Sequence, residues 1–400
     1  MKRLLLSVTA ITLMAFQSCK KSDTPSALLN EQLGRKSNSE MLGILSTTTI
    51  NVNPSTTLNA AFWTGVQTAL ASGPVDVIFD DGTYTVASTI AINNIGHTTN
   101  LLTLKTAVTE GGAIFTGSIA TYLFFTSCKN IKVERLKFTG ASSGYAMRMS
   151  NCIDFSLEKC FFVDLPSVAY GALGIHYPST NRVLVKNCTF ENIGTTSSAH
   201  MIYCAYGVQR VSLVGNYFKN CAGSFVRFRG DLSDKGVVYD NDFISTGTYL
   251  TGFNPPFIEI PVFNDVNPGD EKMGTNFMIT KNTFSYGTVG SQATRYNLVF
   301  HSSGYNPTGR TYLISTADAG LLSSGTLLQK RSVMSGQLGL DGDAIRFGGN
   351  TNTNVQYNVI YRCWNAYGST GPWTGLASIG TAVNSTGLAT TESAAIGYYP

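Results

Sequence analysis

The chain is short of charge. Asp, Glu, Lys and Arg make up 13% of its 400 residues, where an ordinary soluble domain carries roughly a quarter. Much of its surface must therefore be Ser, Thr, Asn, Gly and Tyr, a composition that favours strands and turns over helices. Neither sign dominates: 28 Lys and Arg against 24 Asp and Glu leave +4, or about +2 without Lys2 and Arg3, which gives no global case for a nucleic-acid partner. Cys-x-x-Cys is missing, and the four histidines do not cluster with the cysteines at zinc spacing, so no metal site is predicted from the spacing. Beyond Phe16 no apolar run is long enough to cross a bilayer. What the chain does have is 43% AVILMFWYC and 40 glycines. That is enough apolar material for a large core, and it excludes disorder of the whole.

Residues 1–19 run from a basic start (Lys2, Arg3) through an apolar stretch, Leu4 to Phe16, to Gln17-Ser18-Cys19. The stretch is shorter than the roughly 20 residues of a spanning helix and reads as a signal peptide. Its ending resembles a bacterial lipoprotein signal, which implies lipidation of Cys19. The resemblance also implies export as an outer-membrane lipoprotein, facing the periplasm or the cell surface, with the lipid as the only membrane contact. Lys20 after the anchor cysteine points the same way. Residues 20–54 are polar, with few aromatics and no sustained period, and are expected to be a flexible tether. Seven further cysteines (Cys128, Cys152, Cys160, Cys188, Cys204, Cys221 and Cys363) are an odd number, and their spacings of 24 and 28 match the repeat described next. Buried thiols stacked in register are therefore favoured over a disulfide scaffold.

The repeat consists of two or three alternating apolar residues, a short polar pair and x-Phe. It runs Ile131–Phe138, Phe155–Phe162, Val183–Phe190, Val211–Phe218, Val237–Phe243 and Phe277–Phe284, with phenylalanines 24, 28, 28, 25 and 41 residues apart. Two positions before each Phe stands Leu136, Cys160, Cys188, Asn216, Asn241 or Asn282. Strands this short cannot bury an apolar face alone, but stacked coils share one continuous core. The prediction is an all-β, single-stranded parallel β-helix over 55–362, with a ladder of Asn and Cys at one corner and a column of Phe inside. Each coil carries another strand, at Tyr145–Met149, Leu173–Tyr177, Met201–Ala205, Phe225–Arg229, Phe257–Phe263 and Leu298–Ser302. Gly252–Pro256 and Asn264–Gly274 read as projecting loops. Ile345–Tyr361 is a candidate further coil, and 363–400 a C-terminal cap or tail.

Leu58 to Tyr84 (LNAAFWTGVQTALASGPVDVIFDDGTY) resembles the opening of the pectin lyase-like right-handed parallel β-helix superfamily. The resemblance implies an N-terminal capping helix, a first strand and the Gly-Thr-Tyr that follows it. It is specific for fold rather than function, because the superfamily holds lyases, hydrolases, isomerases and binding proteins.

Strand alternation selects the outward residues. In Met147-Arg148-Met149, Ile175-His176-Tyr177, Val226-Arg227-Phe228 and Ile258-Glu259-Ile260 the middle residue points out, and His200, Tyr203 and Arg229 join them. Three arginines, two histidines and a tyrosine against one glutamate suit a uronate-bearing polymer, since guanidinium groups pair bidentately with carboxylates. β-Elimination needs that carboxylate neutralised, a base for the C5 proton and an acid for the leaving oxygen. Arg229 and Arg227 are the candidates for the first task, and Tyr203 and His200 for proton transfer. Arg148, His176 and Glu259 are the candidates for substrate binding. The protein is expected to be a monomer acting on an acidic polysaccharide without a cofactor.

His200 to Phe243 also resembles the catalytic coils of chondroitinase B and its alginate lyase relatives, where an arginine about ten residues after the N-x-F signature corresponds to Arg229. That resemblance implies calcium. The ligand glutamates and the base lysine would fall between His200 and Gly207, where this chain has His200, Ile202 and Tyr206-Gly207 instead. Two alternatives remain open. One is a glycoside hydrolase pairing Glu259 with Asp265, Asp270, Glu271, Asp231 or Asp234. The other is a surface protein that binds polysaccharide without cutting it.

Overall fold

A computed structural model describes residues 46–229 without a break, then 233, 236–246, 256–263, 277–280 and 282–286. Farther on it describes the backbone of the strands Leu298–Ser303, Arg310–Thr316, Val333–Gln337, Ala344–Phe347 and Val359–Asn365. Cys19 and most of the expected tether lie outside these residues, as do the two expected loops apart from Pro256, and everything after Asn365.

Each coil delivers three strands, as in Ile153–Glu158, Phe161–Leu165 and Gly171–His176, followed one coil on by Asn181–Lys186, Thr189–Ile193 and Ile202–Ala205. Every strand pairs in parallel with its equivalent on the next coil, giving three long sheets that wrap one core. The fold is a parallel β-helix. On the first sheet the register superimposes Ile131, Phe155, Val183 and Val211, all buried. Outward residues of this sheet pair by charge between coils, as in Lys132 with Glu158 and Arg182 with Asp154.

The corner between the first and second sheets holds the expected ladder. Asn241 Oδ1 accepts from the backbone N–H and the side-chain Nδ2 of Asn216, both at 2.9 Å, and Asn282 Oδ1 serves Asn241 in the same way at 3.0 and 2.9 Å. Asn216 Oδ1 accepts from the Cys188 N–H at 2.9 Å, and Cys188 Sγ from the Cys160 N–H at 3.4 Å. Asn and Cys side chains thus satisfy corner backbone that turns away from the sheets. Inside the second sheet Phe138, Phe162, Phe190, Phe218, Phe243 and Phe284 stack with centroids 4.7–5.1 Å apart. Phe115 and Tyr84 extend the column toward the N-terminus. The six cysteines of the described coils are buried and unbridged, and the Cys363 side chain lies outside the described set.

The helix Ala60–Ser72 starts at Asn59, whose side chain accepts from the Phe62 N–H, and buries Trp63, Val66 and Leu70 in the core. Gln67 exchanges two hydrogen bonds with the Gly96 backbone, and Asn100 Nδ2 donates to the Leu70 carbonyl at 2.7 Å. These bonds fix the helix to the first coils.

Two boundaries differ from the sequence reading. Thr48–Val52 lies inside the expected tether, yet it pairs in register with Val75–Phe79 and buries Val52. A polar strand is accepted there because only Val52 is fully buried and Ile50 partly, while Thr48, Thr49 and Asn51 stay exposed. At the far end, Ala344–Phe347 runs antiparallel to Leu298–Ser303, and Val359–Asn365 antiparallel to Phe277–Thr280. The region expected to add a coil instead reverses direction, and its last strand crosses the 362/363 boundary. Antiparallel pairing needs no full circuit of the solenoid.

Candidate functional site

The third sheet carries the candidate residues. Its register stacks Arg148, Gly174, Tyr203, Arg227 and Glu259 in one outward column on five successive coils. Ser150, His176, Ala205 and Arg229 form the next outward column. The structure therefore brings Arg148, His176, Tyr203, Arg227, Arg229 and Glu259 onto one face. His200 sits just before the strand Ile202–Ala205, at its edge.

His200 is buried rather than outward, and both of its ring nitrogens are engaged. Arg227 Nη1 lies 3.0 Å from Nε2. A guanidinium only donates, so Nε2 is an acceptor and the proton rests on Nδ1. From there it faces the Ser224 carbonyl at 3.0 Å and Ser224 Oγ at 2.8 Å. Ser224 Oγ in turn donates to Glu259 Oε2 at 2.8 Å, and Arg227 Nε lies 2.9 Å from the same carboxylate. Burial, and then the charge of Arg227, push the pKa of His200 down to about 3. It is a neutral strut that aims Arg227, not a proton shuttle open to a substrate.

Tyr203 is only 5% exposed. Its hydroxyl oxygen accepts from Arg229 Nη1 at 3.2 Å, which leaves its own O–H proton free to point elsewhere. The Arg227 guanidinium lies 5.8 Å from the Tyr203 ring centroid. Arg148 packs against the rings of Phe124 and Tyr145 at 5.0 and 5.7 Å, and among the described residues it has no carboxylate within ion-pair distance. This is the reverse of the first sheet, where cations face acids. Here Arg148 faces aromatic rings, which hold a guanidinium without neutralising it, while Arg227 faces both the Tyr203 ring and the Glu259 carboxylate.

His176 is the hub of a tyrosine cage. Tyr145, Tyr177, Tyr203 and Tyr206 meet its ring edge-on with centroids 5.2–6.2 Å away. Both ring nitrogens are buried without a hydrogen-bond partner, as is Ser150 Oγ one coil earlier in the same column. Burial is the main cause of the fall in its pKa to about 3, and Arg148 and Arg229 add to it. The ring is neutral.

Sequence alternation missed Tyr145, Tyr177, Tyr206, Ser224 and Gly174. Tyr145 should point inward with Met147, but Ala146 and Met147 both enter the main core and Tyr145 turns out to join Tyr203 and Tyr206. The register still sets Tyr145 opposite Gly171 and Met147 opposite Leu173, so no residue is inserted; the backbone departs from simple alternation at this point, which the sequence alone cannot show. Gly174 makes room for it: a Cβ there would stand 2.7 Å from the Tyr145 ring and 3.3 Å from His176 Nε2. The signal available in the sequence was the glycine pair Gly171 and Gly174 on a strand whose two neighbours each carry a tyrosine, Tyr145 and Tyr203.

Among the described residues, no three His, Cys, Asp or Glu side chains gather as a metal site. The segment His200–Gly207 offers no carboxylate, and Glu259 is committed to Arg227 and Ser224. Calcium, implied by the resemblance, does not fit these residues. The acids that a hydrolase would need beside Glu259 (Asp231, Asp234, Asp265, Asp270, Glu271) lie outside the described residues.

No protein-family profile and no curated protein sequence matches the chain. Several solved structures are similar to it. The alginate lyase from Paenibacillus sp. str. FPU-7 aligns over 63% of this chain and 90% of its own, at 16% identity and a TM-score of 0.47. A mannuronic acid-specific polysaccharide family 6 lyase from human gut microbiota aligns over 63% and 79%, at 13% identity and 0.29. PfbA, a surface adhesin of Streptococcus pneumoniae, aligns over 64% and 93%, at 10% identity and 0.29. The likeness is one of fold, a parallel β-helix. The chemistry has to be read from the residues themselves.

Proposed function

We propose that the outward face of the third sheet binds a uronate-bearing polysaccharide and cleaves it by β-elimination. The observation that carries the reading is the Tyr203 hydroxyl held by Arg229 on a face whose arginines pack on aromatic rings. Arg229 neutralises the sugar carboxylate, assisted by Arg227, which shares its charge with Glu259, and this makes the C5 proton removable. Tyr203 gives its own O–H proton to the leaving oxygen as its phenolic oxygen takes the C5 proton, so the hydroxyl is restored at the end of the step. The C5–H and C4–O bonds break, a C4–C5 double bond forms, and the two chain ends separate without water being consumed. His200 keeps Arg227 in place and takes no part in proton transfer. Arg148, across Gly174 from Tyr203, is placed for a neighbouring carboxylate.

The alternative of hydrolysis through Glu259 has less support, because a general acid must hold a proton and this carboxylate is ion-paired. Export and lipidation at Cys19 belong to the same proposal and would put the reaction on polymers outside the cytoplasm. The test is to incubate the protein with uronate polymers and with neutral glycans, following ultraviolet absorbance of an unsaturated uronate and reducing ends together. Both signals rising on uronates alone supports β-elimination. Ends without absorbance would refute it in favour of hydrolysis, and retention on a polymer without new ends would leave a binding protein.

A further inference from the structure

Val108, Tyr170 and Tyr177 are the exposed large apolar side chains among the described residues. The two tyrosines bracket one strand, Gly171–His176, at the centre of the candidate site. Tyr177 has a second peculiarity. The register pairs Asn93, Thr126, Ser150, His176 and Ala205, so the residues that follow them (Asn94, Ser127, Asn151, Tyr177 and Tyr206) occupy one corner on five coils. All five are left-handed, with φ of 56°, 54°, 56°, 76° and 65°. Asn and Ser tolerate that conformation through their short polar side chains, whereas a bulky aromatic there is an outlier. Twice in succession this corner carries a tyrosine where its neighbours carry Asn or Ser.

The strained corner yields a stack. The rings of Tyr177 and Tyr206 lie 5.5 Å apart and 22° from parallel, and the Arg229 guanidinium lies 5.4 Å from the Tyr206 centroid. Coil order puts Tyr206 between the other two. Tyr206 is thereby covered, while Tyr177 at the end of the stack is 40% exposed. Beside it, on the preceding coil, the corner residue is the small Asn151. Strain held at a non-glycine residue marks a position that does something other than fold.

We infer that the outer face of Tyr177 is a subsite that stacks on one sugar ring of the bound polymer, next to the ring whose carboxylate meets Arg229. Aromatic faces accept the C–H face of a pyranose whatever its charge. The subsite therefore adds length recognition to a site whose arginines supply charge recognition. The inference rests on the proposed polysaccharide reading for its ligand, but the stack and its backbone cost stand independently.

The test compares the full-length protein with Tyr177→Asn and Tyr177→Trp, in thermal melts and in affinity gels containing alginate, polygalacturonate or a neutral glucan. Asn suits the corner, as Asn151 shows, so Tyr177→Asn is expected to melt no lower than the parent. Its retention by the uronate polymers should weaken by about five- to tenfold, the scale of one exposed ring contact, while Tyr177→Trp keeps retention. Equal retention of Tyr177→Asn and parent overturns the subsite and leaves β-elimination intact, and a clearly lowered melting temperature overturns it by making Tyr177 structural. Tyr177-dependent retention by the neutral glucan alone keeps the subsite and refutes the uronate reading. Retention of the parent by none of the three polymers overturns both.

Discussion

Replacing Asn241 with alanine should cost the protein about 4 kcal/mol. The side chain is buried and makes five hydrogen bonds: two accepted from Asn216, and three donated to the Leu213 and Tyr239 carbonyls and to Asn282 Oδ1. Most of its partners keep another bond. Asn216 Nδ2 still reaches the Val185 carbonyl, Asn282 Oδ1 still accepts from the Asn241 backbone, and the Tyr239 carbonyl still accepts from the Gly215 N–H. The Asn216 backbone N–H has no second acceptor in the corner, and leaving it buried and unmet costs about 1–3 kcal/mol. Loss of the two amide-to-amide rungs adds about 1 kcal/mol each. Asn241→Cys should cost about half as much, because the same ladder already runs through Cys188 accepting from Cys160. The assay is urea unfolding followed by fluorescence and far-ultraviolet dichroism, read as the midpoint at constant slope. A loss below about 1 kcal/mol for the alanine, or equal losses for alanine and cysteine, would refute the claim that the corner depends on this ladder.

Arg229→Ala and Tyr203→Phe should each lower turnover on a uronate polymer by about a hundredfold or more with the fold intact, and Arg229→Lys should not restore it. Glu259→Gln should lower turnover less, by loosening Arg227. His176 and His200 have pKa values lowered to about 3 in the fold, against about 6.5 when unfolded. The unfolded chain therefore binds more protons as the medium acidifies. Their stabilising contribution is nearly complete above about pH 7 and declines toward pH 3, with about 4 kcal/mol lost by pH 5. Melts from pH 7 to 5 should show that loss, and His200→Gln should halve it. Cys19→Ser should abolish incorporation of labelled fatty acid into the expressed protein; labelling that persists would place the lipid elsewhere.

The core was legible in the sequence because stacking forces equivalent residues to recur, and Phe and Asn or Cys are the types that fill a column and a corner. Coils before Ile131 escaped notice because their strands, such as Leu102–Thr106 and Thr121–Thr126, reach the same stack without the Asn or Cys rung. Alternation found Arg148, Tyr203, Arg227 and Glu259 as one column and His176 with Arg229 as another. It could not find the His200–Ser224–Glu259 network, which depends on how three coils of different length bring their edges together. Nor could it find Tyr145, which departs from the alternation of its strand, or Tyr177 and Tyr206, which stand one residue past the strand where the backbone turns left-handed. What sequence periodicity reports is the regular part of each coil, and the site is built mostly from its irregular ends.

In-register stacking makes the third sheet a ruler. Arg148 and Arg227 share a column with Gly174 and Tyr203 between them, which sets them three strand spacings apart, about 14 Å. No side chain in the column can move along the axis by less than one whole rung without unpairing a sheet. A polymer is therefore read by whether its charges fall on the same fixed graduations. Shifting an arginine to an adjacent coil should change which periodicity of acidic sugars the face accepts, rather than how strongly it attracts them.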